Sequence, residues 1–157
     1  MNFALTVRNR QRVRRVDVRQ VKKILAAALT ELGVEKCELC FHLVGATEMA
    51  KVNWNFLQHE GSTDVITFDL GEGKRQKAKG KKKLIGEIFI CLDDAVKQAR
   101  EFDTSWQSEL LRYAVHGILH LLGHDDLQPI PRKRMKREEN HLVRLLARQF
   151  RFASVAR

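Results

Sequence analysis

His116-Gly117-Ile118-Leu119-His120-Leu121-Leu122-Gly123-His124-Asp125-Asp126 is the stretch on which the reading of this chain turns. Ala114, Val115, Ile118, Leu119, Leu121 and Leu122 make its helical part apolar nearly all round, as expected of a helix buried at the centre of a fold. His116 and His120 stand one helical turn apart, so both imidazoles share a face. Two imidazoles side by side in an apolar helix are costly unless something shared satisfies them, and a metal ion does so. Gly123 ends the helix and lets the chain turn back. His124, Asp125 and Asp126 are each able to supply a third ligand from the loop. Two or three imidazoles with one carboxylate suit zinc, and three protein ligands leave a position open for water, whose pKa falls to about 7 on zinc. The spacing resembles the metal helix of zinc proteases, but Gly117 stands where their glutamate base belongs, which weighs against peptide hydrolysis.

Outward from this helix, periodicity predicts a strand over Phe3 to Val7 and a helix from Asp17 to Leu32 capped by Gly33. A second strand is expected from Cys37 to Val44. A helix capped by Thr47 should run to about Leu57, with Met49, Val52 and Phe56 inward. Strands follow from Thr63 to Phe68 and from Leu84 to Cys91. Two helices are expected from Asp93 to Phe102 and from Trp106 to Leu122, the second opened by Thr104 and Gln107 as a capping box. After Pro129 and Pro131 comes a last helix from about Arg132 to Arg148, with Leu142, Leu145 and Leu146 inward. This order predicts an α+β fold: a single mixed sheet of about four strands with packed helices, and the metal site on a central helix and the loop after it. The 157 residues, with 44% apolar content, fit one domain spanning 1–157.

The net charge is +10 and the isoelectric point is near 9.9, so polyanions, nucleic acid first, are the natural partners. Seven of the ten residues from 74 to 83 are basic: Lys74, Arg75, Lys77, Lys79, Lys81, Lys82 and Lys83. Such like-charge density predicts a mobile loop over about 71–83, either a solvated hairpin tip or a phosphate-binding arm. Arg8, Arg10, Arg12, Arg14 and Arg15 form a second basic cluster. The three cysteines do not suggest a disulfide framework, and no apolar run is long enough to span a bilayer, so a cytoplasmic protein without membrane association is expected. In a strand Cys37 and Cys40 point to opposite faces, which makes their Cys-x-x-Cys spacing unfit for a shared metal. Trp54 and Trp106 read as packing residues.

With these residues in view the chain resembles the YbeY family of bacterial rRNA-maturation endoribonucleases. The family motif His-Gly-x-Leu-His-Leu-x-Gly reads HGILHLLG from His116 here. Ser62-Thr63-Asp64-Val65-Ile66-Thr67-Phe68 and Gly86-Glu87-Ile88-Phe89-Ile90 are similar to two further family blocks, and Asn53 also fits. The resemblance implies one zinc ion held by His116, His120 and Asp126, the last standing where the family has histidine, with His124 in reserve. It implies a single-strand-specific endoribonuclease acting in rRNA processing and ribosome quality control, with RNA, rRNA first, as substrate and the ribosome or its small subunit as partner; a monomeric state is also expected. Leu57 replaces an arginine of the family, and His59 is the candidate to take over its phosphate contact or a proton transfer. A non-catalytic assembly factor with a structural metal, or a metal-dependent hydrolase of another substrate such as a peptide, are the other classes.

Overall fold

A computed structural model describes residues 2–57, 64–71 and 82–157; the side chains of Leu57 and Lys82 are outside the description. Strands β1 (Asn2–Asn9), β2 (Val34–Val44), β3 (Val65–Asp69) and β4 (Lys82–Cys91) form one mixed sheet in the order β1-β2-β4-β3. β1, β2 and β4 run parallel, and β3 is antiparallel to β4. Helix α1 (Val18–Glu31) carries the chain between the first two parallel strands. Asp17 caps it by accepting from the Gln20 amide, and Gly33, at φ 74°, takes the left-handed position that releases the chain into β2.

The helices α3 (Leu92–Phe102), α4 (Trp106–Leu121) and α5 (Pro129–Gln149) follow the last strand. Alternation sends Leu39, Phe41 and Leu43 of β2 and Ile88 and Ile90 of β4 to the helix side, where each is essentially inaccessible. There they meet Ile24, Leu25, Leu29, Leu111, Val115, Ile118 and Leu119, which form one continuous core. The short helix α2 (Ala46–Val52) and a π-helical turn (Asn53–Leu57) bury a smaller cluster of Val44, Met49, Val52, Ile66 and Cys91. A 3₁₀ turn (Phe152–Val155) ends on the fully buried Val155, whose carbonyl accepts from Asp17 N at 2.7 Å.

Several local expectations are corrected. The cap of α4 is Ser105, which accepts from Ser108 N at 3.1 Å, one residue after Thr104. Thr47 does not cap α2; Asp93 of α3 accepts from Ala46 N at 2.6 Å instead. α5 starts at Pro129, since first-turn amides lack helical acceptors and proline loses nothing there. Val143 rather than Leu145 joins the buried stripe of α5. Trp54 and Phe56 are 55% and 66% exposed, not inward, because they fall in the π turn, whose wider winding breaks the α-helical stripe, and Phe56 meets Phe68 of β3 edge-on at 5.4 Å. Trp106 does pack against the core. Lys82 and Lys83 belong to β4, not to a loop, their backbones pairing with Val34 and Lys36.

α4 lies unusually close to β4. A Cβ added at Gly117 would come within 2.8 Å of Ile88 Cγ2, and Ile88 is fully buried and has nowhere to move. Gly117→Ala should therefore destabilise the fold by about 1–3 kcal/mol through overpacking, although alanine is the better helix former by about 1 kcal/mol. Urea unfolding checks this, and Ile88→Ala in the same chain should recover part of the loss.

Candidate metal centre

His116 and His120 emerge on the one strip of α4 that the core leaves open. Their Nε2 atoms lie 3.1 Å apart. Gly123, at φ 108°, reverses the chain after α4, with His124 N donating back to Leu119 O at 3.0 Å. The reversal brings Asp126 Oδ2 to 3.5 Å from His116 Nε2 and 3.4 Å from His120 Nε2. These three atoms form a nearly equilateral triangle. Ligand atoms around a tetrahedral zinc, bonded at about 2.0–2.2 Å, stand roughly 3.4 Å apart. The three groups are half-buried, so the triangle faces solvent rather than sealed protein.

The outer ring nitrogens are held as well. His116 Nδ1 is 2.9 Å from Glu139 Oε1 and His120 Nδ1 is 3.1 Å from the His124 carbonyl. Each Nδ1 can then donate to its oxygen, which leaves both Nε2 lone pairs for a shared cation. His124 takes part through its backbone, and its side chain is not among the three clustered donors. Asp125 accepts from Leu127 N at 2.8 Å, forming the turn that presents Asp126.

Glu139 was not singled out from the sequence. It sits on α5 with its side chain only 4% exposed, and it also accepts from Arg112 Nη1 at 2.8 Å and Lys136 Nζ at 2.9 Å. Burial alone would raise its pKa; the bonds from His116, Lys136 and Arg112 outweigh that and bring it down to about 2. For His116, burial favours the neutral ring, but the Glu139 hydrogen bond and the charges of Glu139, Asp126 and Asp64 raise its pKa overall. A signal for Glu139 exists in the sequence: it falls on the helical stripe Met135, Glu139, Leu142, Leu146, where a carboxylate needs a buried partner. A cavity of about 540 Å³ opens beside His116 and Asp126, lined also by Asp64, Arg112, Arg132 and Lys136.

Gly117 faces Ile88 and not this cavity, so the position that carries the base in zinc proteases is turned into the core. Of the other candidates, His59 and Lys74, Arg75, Lys77, Lys79 and Lys81 lie outside the described residues. Lys83 is exposed on β4. Arg8, Arg12 and Arg15 are exposed, Arg14 donates to the Val13 carbonyl, and Arg10 is paired with Glu48. Among the described residues no helix is long and apolar enough to cross a membrane.

Glu139→Gln keeps the shape but removes the charge that orients His116. Metal affinity should weaken about 10- to 100-fold, measured by competition with a chromophoric chelator. The carboxylate pKa is depressed from 4.5 to about 2 on folding, so its stabilisation is complete above the unfolded value and is lost as pH falls through the folded one. Between about pH 5 and pH 2 the metal-free parent should lose up to roughly 3 kcal/mol that Glu139→Gln does not lose, read from thermal melts.

The family model described as Endoribonuclease YbeY matches residues 6–147. A protein named Endoribonuclease YbeY from Salinibacter ruber is 32% identical over 131 residues, covering 83% of each chain. Its namesake from Aquifex aeolicus is 32% identical over 136 residues, covering 86% of this chain and 87% of its own. A solution structure from Thermotoga maritima shares the fold with a TM-score of 0.64 at 24% identity, covering 92% of this chain and 91% of that one. The match runs through the sheet, α4 and the loop to Asp126, and the chain belongs to the endoribonuclease YbeY family.

Proposed function

We propose that this chain is a zinc-dependent, single-strand-specific endoribonuclease that acts in rRNA processing and ribosome quality control at the small ribosomal subunit. The observation that carries the reading is the triangle of His116 Nε2, His120 Nε2 and Asp126 Oδ2, with sides of 3.1–3.5 Å, beside a cavity of mixed charge. A zinc ion there would supply Lewis acidity toward a phosphate oxygen and a bound water acidic enough to ionise near neutral pH. His116, His120 and Asp126 would hold it, with Glu139 and the His124 carbonyl keeping the imidazoles aimed. The donor set fits: two neutral nitrogens and one carboxylate, three ligands in all, leave room for substrate or water. A structural zinc normally takes four protein ligands, and this cluster offers three among the described residues. That favours catalysis over a purely structural metal.

Arg132 and Lys136 line the cavity and place positive charge where a phosphodiester would lie. We assign His59 the proton transfer or phosphate contact that arginine provides elsewhere in the family. The basic residues Lys74, Arg75, Lys77, Lys79 and Lys81, continued by Lys82 and Lys83 at the start of β4, are the proposed arm that grips the RNA backbone.

His116→Ala/His120→Ala should remove metal content and cleavage of single-stranded rRNA fragments together, leaving at least about 100-fold less activity. Cleavage that survives metal loss rejects the scheme. His59→Ala should slow cleavage about tenfold or more at unchanged metal content, as expected for a group that moves a proton. Neutralising the basic arm should flatten the dependence of log affinity on log salt for an RNA oligonucleotide; an unchanged slope removes the arm from the account.

A further inference from the structure

The sheet face turned away from α4 carries a second cluster of ligand-capable side chains. Leu39, Phe41 and Leu43 of β2 point to the helices, so Cys40 and His42 point the other way. The parallel register sets Cys40 opposite Glu87 and His42 opposite Phe89 on β4. One potential ligand atom from each of Cys40, His42 and Glu87 lies within 4.8 Å of the other two.

His42 is held tightly. Its Nε2 is 2.7 Å from Glu87 Oε1, and its ring stacks on Phe89 with centroids 4.2 Å apart and planes 8° from parallel. The side chain is only 7% exposed, yet Nδ1 has no hydrogen-bond partner. Nε2 and Glu87 Oε1 already face one another, and a cation bound between them would take the place of the proton they share.

Two chemistries compete for such a trio. A nucleophile with its base requires the thiol to hydrogen-bond the imidazole. Here Nδ1 makes no bond, Nε2 is engaged by Glu87, and burial raises the thiol pKa, so a reactive-thiol triad is not assembled. Ligation needs only that sulfur, nitrogen and carboxylate oxygen converge, and that set suits zinc-like ions. Arg8, opposite His42 on β1, hydrogen-bonds Cys40, and Arg10 adds a second positive charge nearby. These cations repel an ion held by charge alone, and they offset only part of the rise that burial imposes on the thiol pKa, so a strongly bonding ion is needed to displace its proton. Sulfur and nitrogen donors favour a cation that bonds strongly to sulfur over a hard one such as magnesium.

We propose that Cys40, His42 and Glu87 form a second metal site, for a thiophilic divalent cation of the zinc class. It lies on the opposite face of the sheet from the α4 centre and does not depend on the nuclease reading.

Cobalt titration of the metal-stripped full chain separates the two sites. A thiolate bonded to Co2+ gives an intense near-ultraviolet charge-transfer band, which His116, His120 and Asp126 cannot produce. The band should saturate, disappear in Cys40→Ser with an unchanged circular dichroism spectrum, and persist in His116→Ala/His120→Ala. His42→Gln should weaken Co2+ binding at this band at least tenfold. Absence of the band at saturating Co2+, or a band that survives Cys40→Ser and so arises from Cys37 or Cys91, overturns the proposal.

Discussion

The close approach of α4 to β4 at Gly117 and Ile88 is the contact on which the rest of the molecule depends. Leu110, Leu111, Ala114, Val115, Ile118 and Leu119 are all buried to 1% exposure or less, so α4 has only one strip left for polar groups. That strip holds His116 and His120. A helix embedded on so many sides cannot rotate or slide without breaking core contacts throughout the domain side of the sheet. The direction of both imidazoles is thus set by packing well removed from the chemistry. Asp126 joins them from a loop whose course depends on the left-handed turn at Gly123.

Glu139 shows how the same site is secured electrostatically. Burying a carboxylate is unfavourable by itself, and here three donors, His116, Arg112 and Lys136, outweigh the lost hydration. The network also ties α5 to α4 by polar bonds, to which Arg112 adds one to Asn140 at 2.7 Å. Two functions therefore rest on one side chain: joining the helices, and fixing which nitrogen of His116 faces the cation. Asp126 lacks such cover, being more than a third exposed. Its place depends on the Asp125 turn rather than on burial.

Much of this was legible in the residues. The α4 stretch, the period-two strands and the sheet composition follow from hydrophobic spacing, which long-range packing did not override. The third donor was not legible from spacing alone. His124, Asp125 and Asp126 are chemically similar candidates, and their positions depend on one backbone angle at Gly123. The part His124 plays through its carbonyl has no side-chain signal at all. Glu139 was hidden in the run Lys136-Arg137-Glu138-Glu139, where charge density suggests a solvated face and only the stripe with Met135 and Leu142 tells otherwise. Lys82 and Lys83 read as loop for the same reason, but sheet hydrogen bonds act on the backbone and take no account of side-chain charge. Trp54 read as a packing residue, and it stands exposed in the π turn.

The buried Val155, bonded to Asp17 and followed by a bridge between Ala156 and Val16, has a bearing on synthesis. α1 leaves a ribosome long before the Val155 segment that covers its opening turn. Glu139 likewise follows His116 by more than twenty residues. During vectorial synthesis the imidazoles of α4 exist before the carboxylate that aims them, so ordering of the pair belongs to the closing stage of folding, together with the docking of α5 and the tail.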